Sequence, residues 1–227
     1  DPYIAVGKSS FYMNTKSGTF WERGRIGFGG TITFNGVGVG NSVHSPNVYA
    51  MAAGDFASLA RAVAIGNSIS TWTPIDLKEQ RQIPAIGQVL TVDSTYQGNF
   101  QDVIWEGVTN TWVAVGAAGS IFTAVGLTTA EAFSQYSGTL QQLNAVTFGQ
   151  SEFIAVGNGG VILASNDGTG WSPKVSNTVF DLNDVLYDGS RFIVVGDNGT
   201  IGISTDKNFW QPWSQQLPAG TQHPASF

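Results

Sequence analysis

The sequence predicts an all-β fold, a β-propeller of four-stranded antiparallel blades, and three observations carry that reading. The first is a repeat. Tyr3-Ile4-Ala5-Val6-Gly7, Phe153-Ile154-Ala155-Val156-Gly157 and Phe192-Ile193-Val194-Val195-Gly196 align on their closing Gly, and a Trp follows each Gly after fourteen residues, at Trp21, Trp171 and Trp210. A fixed offset in three places marks a structural unit repeated along the chain. The second observation is that residues 153–156 are apolar at successive positions, which suits a strand covered on both faces. The third is turn chemistry: Asn158-Gly159-Gly160 and Asp197-Asn198-Gly199 follow the apolar runs. Asn-Gly turns accept the positive φ that a tight hairpin demands. Units of about 40 residues with four short strands are the blades of a propeller.

The elements follow in chain order. The first blade is shared between residues 1–27 and 221–227. The chain opens at a second strand, Tyr3–Val6, so Gln222 to Phe227 is expected to supply the missing first strand and close the ring. Closure would leave no exposed sheet edge; a piece of a longer repeat array is the alternative. Ile32, eleven residues beyond Trp21, starts the second blade, with Gly54 as its marker and Trp72 as its late Trp. Phe56 to Ile65 is the one stretch with helical character, and its β-branched residues and flanking Gly argue against a helix. A polar insert is expected near residues 73–99. The third blade starts at Phe100-Gln101-Asp102-Val103-Ile104-Trp105 and continues with Trp112-Val113-Ala114-Val115-Gly116. The fourth and fifth start at Leu143-Asn144-Ala145-Val146 and Leu182-Asn183-Asp184-Val185, each fourteen residues before its Gly. The step of 109 positions from Gly7 to Gly116 is too short for three such steps, so five blades are expected. Six blades, with Gly40 and Gly66 as markers, is the alternative.

Composition bounds the function. The 227 residues form a single propeller domain, 42% apolar and 11% charged, with net charge −6 and no basic cluster. That balance argues against nucleic acid and anionic membrane as partners. No apolar stretch reaches 18 residues, so no membrane-spanning helix is expected. The first residues, Asp1-Pro2, suggest processing or trimming. There is no cysteine, hence no disulfide framework and no thiolate metal site. A low-charge β-protein rich in Gly, Asn, Ser and Thr resembles bacterial surface and phage particle proteins, which implies an extracellular, cell-surface or virion location.

The stretch before each Trp carries a family resemblance. Ser165-Asn166-Asp167-Gly168-Thr169-Gly170-Trp171 aligns with Ser204-Thr205-Asp206-Lys207-Asn208-Phe209-Trp210 and with Thr15-Lys16-Ser17-Gly18-Thr19-Phe20-Trp21. These resemble the Asp-box, Ser/Thr-x-Asp-x-Gly-x-Thr-Trp, of sialidase-type and related BNR-like propellers. The wider repeat resembles the propeller of photosystem II assembly factors. Ser17 stands where the Asp is expected, and the Gly is misplaced or missing. The resemblance covers residues 100–217 well, 1–27 fairly and 28–99 thinly. It implies a structural role for Thr15, Trp21, Ser165, Asp167, Trp171, Ser204, Asp206 and Trp210: the Asp and Ser bond local backbone and the Trp packs between sheets.

Catalytic signals are poor. A sialidase needs an arginine cluster, and this chain has only Arg23, Arg25, Arg61, Arg81 and Arg191; Arg25-Ile26-Gly27 is the sole echo of the family's Arg-Ile-Pro. A sialidase-type glycoside hydrolase is therefore a minor alternative. His44 and His223 stand in loop-like contexts far apart in sequence, and a solvent-facing role outweighs a Ser-His-Asp site around His223. No motif for zinc, phosphate or calcium occurs, so no cofactor and no metal are expected.

That leaves binding. The resemblance implies that the turns between second and third strands and the connections between blades line one ligand face, with the starts of the first strands near the axis. Candidate ligand contacts there are Gln101, Asp102, Asn144, Asn158, Asn183, Asp184, Asp197 and Asn198. Tyr96 and Trp213 are candidate rings for stacking on a sugar. Asn and Asp serving only as turn formers and strand caps is an equal alternative for any one of them. The reading is a noncatalytic recognition module for cell-surface carbohydrate. Its alternative is a scaffold docking another protein, as a homo-oligomer or as part of a larger assembly.

Overall fold

A computed structural model describes residues 3–6, 11–15, 22–25, 32–42, 45–55, 57–65, 68–69, 72–83, 88–206 and 211–212. The chain divides into two compact units, the first made of 1–114 and 121–135, the second of 115–120 and 136–227. The described residues are strands and turns, with three single-turn 3-10 segments.

The first unit opens with a three-stranded antiparallel sheet, β1 (Tyr3–Val6), β2 (Phe11–Thr15) and β3 (Glu22–Arg25). The first strand expected for this sheet from Gln222–Phe227, and with it the closure of the ring, lies outside the described residues. A second sheet runs β4 (Phe34–Ser42), β5 (Ser45–Gly54), β6 (Ser58–Ile65) and β7 (Ser68–Ile69), with β8 (Thr73–Pro74) also on β6. Residues 58–65 of the stretch judged non-helical form the strand β6. The strand expected from Ile32 begins two residues later, at Phe34. Gly54 pairs with Phe34, as a marker Gly should, but twenty residues separate them because β4 and β5 are long. Gly40 pairs with Tyr49 in mid-strand and ends no run, so it is no marker; Gly66 lies outside the described residues.

The stretch expected as a polar insert carries strands of the third sheet. Residues 76–83 and 88–93 form a hairpin, β9 (Asp76–Ile83) and β10 (Gln88–Asp93), with six paired positions. It joins β11 (Phe100–Glu106), β12 (Thr111–Gly116), β13 (Ile121–Val125) and β14 (Glu131–Gln135) in the order β10-β9-β14-β13-β12-β11. β9 runs parallel to β14, and Lys78 meets Glu131 at 3.8 Å. The polar side chains of Asp76-Leu77-Lys78-Glu79 hide a strand that backbone pairing supplies.

Glycines set the spacing of these sheets. Gly36, Gly38 and Gly40 share one face of β4, and β11 lies directly on them. A Cβ there would stand 2.7 Å from Asp102 Cα, 2.8 Å from the Val103 carbonyl and 2.6 Å from the Trp105 ring. The core beneath gathers Met51, Leu59, Phe100, Val103, Trp112 and Phe122.

The second unit holds two four-stranded antiparallel sheets. One is β15 (Leu143–Gly149), β16 (Glu152–Gly157), β17 (Ile162–Ser165) and β18 (Ser172–Lys174). The other is β19 (Leu182–Tyr187), β20 (Phe192–Gly196), β21 (Thr200–Ser204) and β22 (Gln211–Pro212). Ile154, Val156, Ile162 and Ala164 of the former pack with Leu182, Val185, Phe192 and Val194 of the latter.

The marker Gly has a steric cause. A Cβ on Gly54, Gly157 or Gly196 would collide with the carbonyl oxygen of Thr33, Gln142 or Asp181, the residue leading into the first strand. That oxygen accepts a bond from the amide after the Gly: Asp55 to Thr33, Asn158 to Gln142 and Asp197 to Asp181, each 2.9 Å. The following turn takes two left-handed residues, Gly159 and Gly160 (φ 67° and 74°) or Asn198 and Gly199 (φ 53° and 68°). Gly and Asn tolerate that region.

Candidate functional site

The predicted contact residues are brought together in pairs, and the pairing serves the fold. In both sheets of the second unit the pairing slips at the same place. Leu143 faces Gly157 and Ala145 faces Val156; Leu182 faces Gly196 and Asp184 faces Val195. Asn144 and Asn183 are the extra residues of a β-bulge, which bends a strand and re-aims a side chain. Asn144 Nδ2 donates to Asn158 Oδ1 at 2.9 Å and to the Leu182 carbonyl of the next sheet at 2.8 Å, while its Oδ1 accepts from Gln142 at 2.8 Å. Asn183 Nδ2 donates to Asp197 Oδ1 at 2.9 Å. The first unit repeats the device at a residue that composition did not single out. Asn35, bulged between Phe34 and Gly36, donates to the Phe100 carbonyl at 2.7 Å and to Asp55 at 3.3 Å.

Asn35 and Asn144 clamp a strand to its own hairpin and to the next sheet, and Asn183 clamps its strand to its own hairpin. Both N–H groups of Asn144 are engaged within the protein, as the structural alternative expects. Asn158, Asn183 and Asp197 are engaged in the same clamps. Asp102 and Asp184 each accept the next backbone amide, Val103 and Val185, at 2.8 Å. Asp184 and Asn198 are exposed and Gln101 is half-buried. Tyr96 is no free platform: its ring packs on Phe100 and Phe122 at 5.1 and 5.5 Å and its hydroxyl donates to the Asn99 carbonyl at 3.0 Å. Trp213, His44 and His223 lie outside the described residues.

The turn at 165–171 is a closed hydrogen-bonded unit. Ser165 Oγ accepts from Gly168 N at 2.9 Å, and Asp167 Oδ1 accepts from Thr169 N at 2.8 Å and Gly170 N at 3.1 Å. Trp171 Nε1 donates to the Gly168 carbonyl at 2.9 Å, and its ring lies 6.4 Å from that of Phe153. The Thr169 amide foremost, then that of Gly170, holds the Asp167 carboxyl down to about 2. Ser204 Oγ reaches Asp206 at 3.4 Å. Thr15 pairs with Tyr3 in the first sheet, and Trp21 and Trp210 lie outside the described residues. Arg191 is held by Asp188 at 2.9 Å. Among the described residues no group of His, Cys, Asp and Glu is arranged to hold a metal ion, and no helix is long and apolar enough to cross a membrane.

The connections between strands of successive sheets, which the sequence assigned to the candidate ligand face, carry apolar side chains that it did not single out. Residues 136–142 and 175–181 share a design. Ser137 Oγ and Ser176 Oγ donate to the carbonyls of Thr139 and Thr178 at 3.2 and 3.1 Å, and Thr139 Oγ1 and Thr178 Oγ1 accept the amides of Gln141 and Phe180 at 3.1 Å. With their polar atoms tied locally, the connections turn apolar side chains outward. Tyr136 and Leu140 are each 87% exposed and Val179 80%, with Val175 and Phe180 beside them. The 158–160 turn holds the second connection: Gly159 N donates to Asp181 Oδ1 at 2.8 Å, and Gly160 leaves no room for a Cβ against the Thr178 carbonyl. A cavity of about 350 Å³ opens beside it, lined by Ser137, Thr139, Gly160, Ile162, Pro173 and Lys174. The signal in the sequence was the pair Ser-Gly-Thr-Leu and Ser-Asn-Thr-Val, 39 residues apart.

The class of fold is the β-propeller, and comparison with solved structures shows it. The structure of YCF48 bound to D1 peptide is similar over 91% of this chain and 61% of that one, with TM-score 0.58 and 18% identity. YCF48 from Cyanidioschyzon merolae is similar over 90% of this chain and 66% of that one, with TM-score 0.56 and 18% identity. The WD40 β-propeller domain of Doa1 follows at TM-score 0.55 and 10% identity, over 93% and 64%. The chain thus spans about two thirds or less of these proteins. No family model and no curated protein matches it.

Proposed function

We propose that this chain is a noncatalytic propeller module that docks another polypeptide through the connections 136–142 and 175–181. The observation that carries the reading is the outward set of Tyr136, Leu140, Val175, Val179 and Phe180, five of the nine large apolar side chains exposed among the described residues. Large apolar groups gathered on one surface mark interaction sites, and aromatic anchors rimmed by polar atoms suit protein partners. A propeller of similar fold with a peptide bound supports the same class of partner. The carbohydrate reading has less support, because Asn144, Asn158, Asn183 and Asp197 are bonded to one another and to backbone. Five sheets among the described residues support five blades, and the closed Ser165–Trp171 turn supports kinship with Asp-box repeats.

The test is quantitative affinity capture with the wild type and with Leu140→Ser/Val179→Ser, alongside a glycan array. A protein retained by the wild type and lost by the double variant supports docking at this surface. A reproducible glycan hit unaffected by the double variant would sink it.

A further inference from the structure

Asn-Gly occurs three times in the chain, at 35–36, 158–159 and 198–199, and the fold treats the three differently. In each, the Gly nitrogen can attack the neighbouring carboxamide carbon, because Gly has no side chain to shield it. At the first, Asn35 Nδ2 donates to the Phe100 carbonyl at 2.7 Å and to Asp55, while Gly36 is buried in β4 against Asp102. At the second, Asn158 Oδ1 accepts from Asn144 Nδ2 at 2.9 Å, and Gly159 N donates to Asp181 Oδ1 at 2.8 Å. The third stands one position later in its turn. Asp197 takes the place of Asn158 and accepts from Asn183 at 2.9 Å, so Asn198 falls outside the clamp, at φ 53°. Asn198 is exposed, and neither its carboxamide nor the Gly199 N–H makes a hydrogen bond among the described residues.

We propose that Asn198 is a modification site, at which the folded chain deamidates through a cyclic imide while Asn35 and Asn158 are protected. Gly199 N gives its proton to solvent base and bonds to Asn198 Cγ. The Cγ–Nδ2 bond breaks, and the nitrogen takes up a proton from solvent and leaves as ammonia. Water then opens one of the two ring carbonyls, giving aspartate or isoaspartate, with nothing oxidised or reduced. At ψ 32° the turn must open for Gly199 N to reach Cγ, which breaks the Thr200 amide's bond to the Asp197 carbonyl but none of the Asn198 side chain. Openings confined to one exposed turn lie at the low end of the local-unfolding range. At 158–159 the bonds to Asp181 and from Asn144 must break as well, and at 35–36 the bulged strand must leave its partners. The product carries a carboxylate beside Asp197 and, as isoaspartate, one more atom in the backbone of the turn.

Peptide mapping by mass spectrometry of the full chain, aged in mildly alkaline buffer, tests the proposal, with isoaspartyl methyltransferase labelling to detect isoaspartate. Asn198 is expected to convert at least about tenfold faster than Asn35 or Asn158, because each hydrogen bond that must break first slows the attack. In denaturant the three dipeptides are equally free, and their rates should converge. Asp181→Ala, which releases Gly159 N, should speed Asn158 and leave Asn198 unchanged. Conversion of Asn198 in the folded chain no faster than that of Asn35 and Asn158 overturns the proposal. So does a ranking that persists in denaturant, or an Asp181→Ala chain whose Asn158 reacts no faster than before.

Discussion

The β15–β18 and β19–β22 sheets of the second unit are two castings of one pattern. They share the bulged Asn, the marker Gly, the left-handed turn and strand registers offset by 39 residues. They differ in what lies on one face: Ile154 and Val156 are sealed, while Ile193 and Val195 are half open. Equal backbones with unequal coverage separate two sources of stability, the local geometry that makes a sheet and the burial that holds sheets together.

The largest effects should be equal in the two sheets. Gly157→Ala and Gly196→Ala each force a Cβ into a carbonyl oxygen, and each should cost more than about 3 kcal/mol, the range of severe steric substitutions. Denaturant unfolding of both variants measures it; a mild Gly196→Ala would mean that the second casting lacks the constraint of the first. Next comes the contrast between faces. Ile154→Ala should cost about 3 kcal/mol through lost burial and a residual cavity. Ile193→Ala should cost under about 1 kcal/mol because its apolar area is partly in water already. Equal losses would show that Ile193 is as fully covered as Ile154.

A smaller effect tests the clamp. Asn144→Ala removes two donors that reach Asn158 and the Leu182 carbonyl, and should cost about 1–2 kcal/mol. Thermal unfolding that leaves this variant unchanged would return Asn144 to the list of free binding groups. The smallest effect is the pH response of the 165–171 turn. The Asp167 carboxyl is held at about 2 against an ordinary 3.8. Its contribution is therefore present above about pH 3.8 and fades as pH falls towards 2. Solvent exposure keeps it small. Acid unfolding should begin at slightly higher pH in Asp167→Ala than in the wild type; coincident acid transitions would remove Asp167 from the account.

Much of the fold could be read from residues in order. The Gly that closes each apolar run was legible because a single steric event, a carbonyl where Cβ would be, recurs at Gly54, Gly157 and Gly196. The Ser165–Trp171 turn was legible because all its bonds are local. The hairpin at 76–93 was not: its strands owe their state to pairing with β14, and a run such as Asp76-Leu77-Lys78-Glu79 carries no alternation to announce it. The candidate site fared worse. Asn144 and Asn183 look alike whether they meet a ligand or a carbonyl, and only the bulge shows which way they turn. Tyr96 reads as a spare ring until Phe100 and Phe122 are found against it. Leu140 and Val179 stand in connections whose exposure only the structure gives.

The amino-acid order by itself determined the repeat, the strand class and the turns, because these follow from excluded volume, φ preference and hydrogen bonds within a few residues. Tertiary structure alone decided which amides were already spent, which aliphatic face was left open and which apolar side chains faced water. Those properties depend on the atoms opposite a side chain, and the residues supplying them stand tens of positions away in sequence.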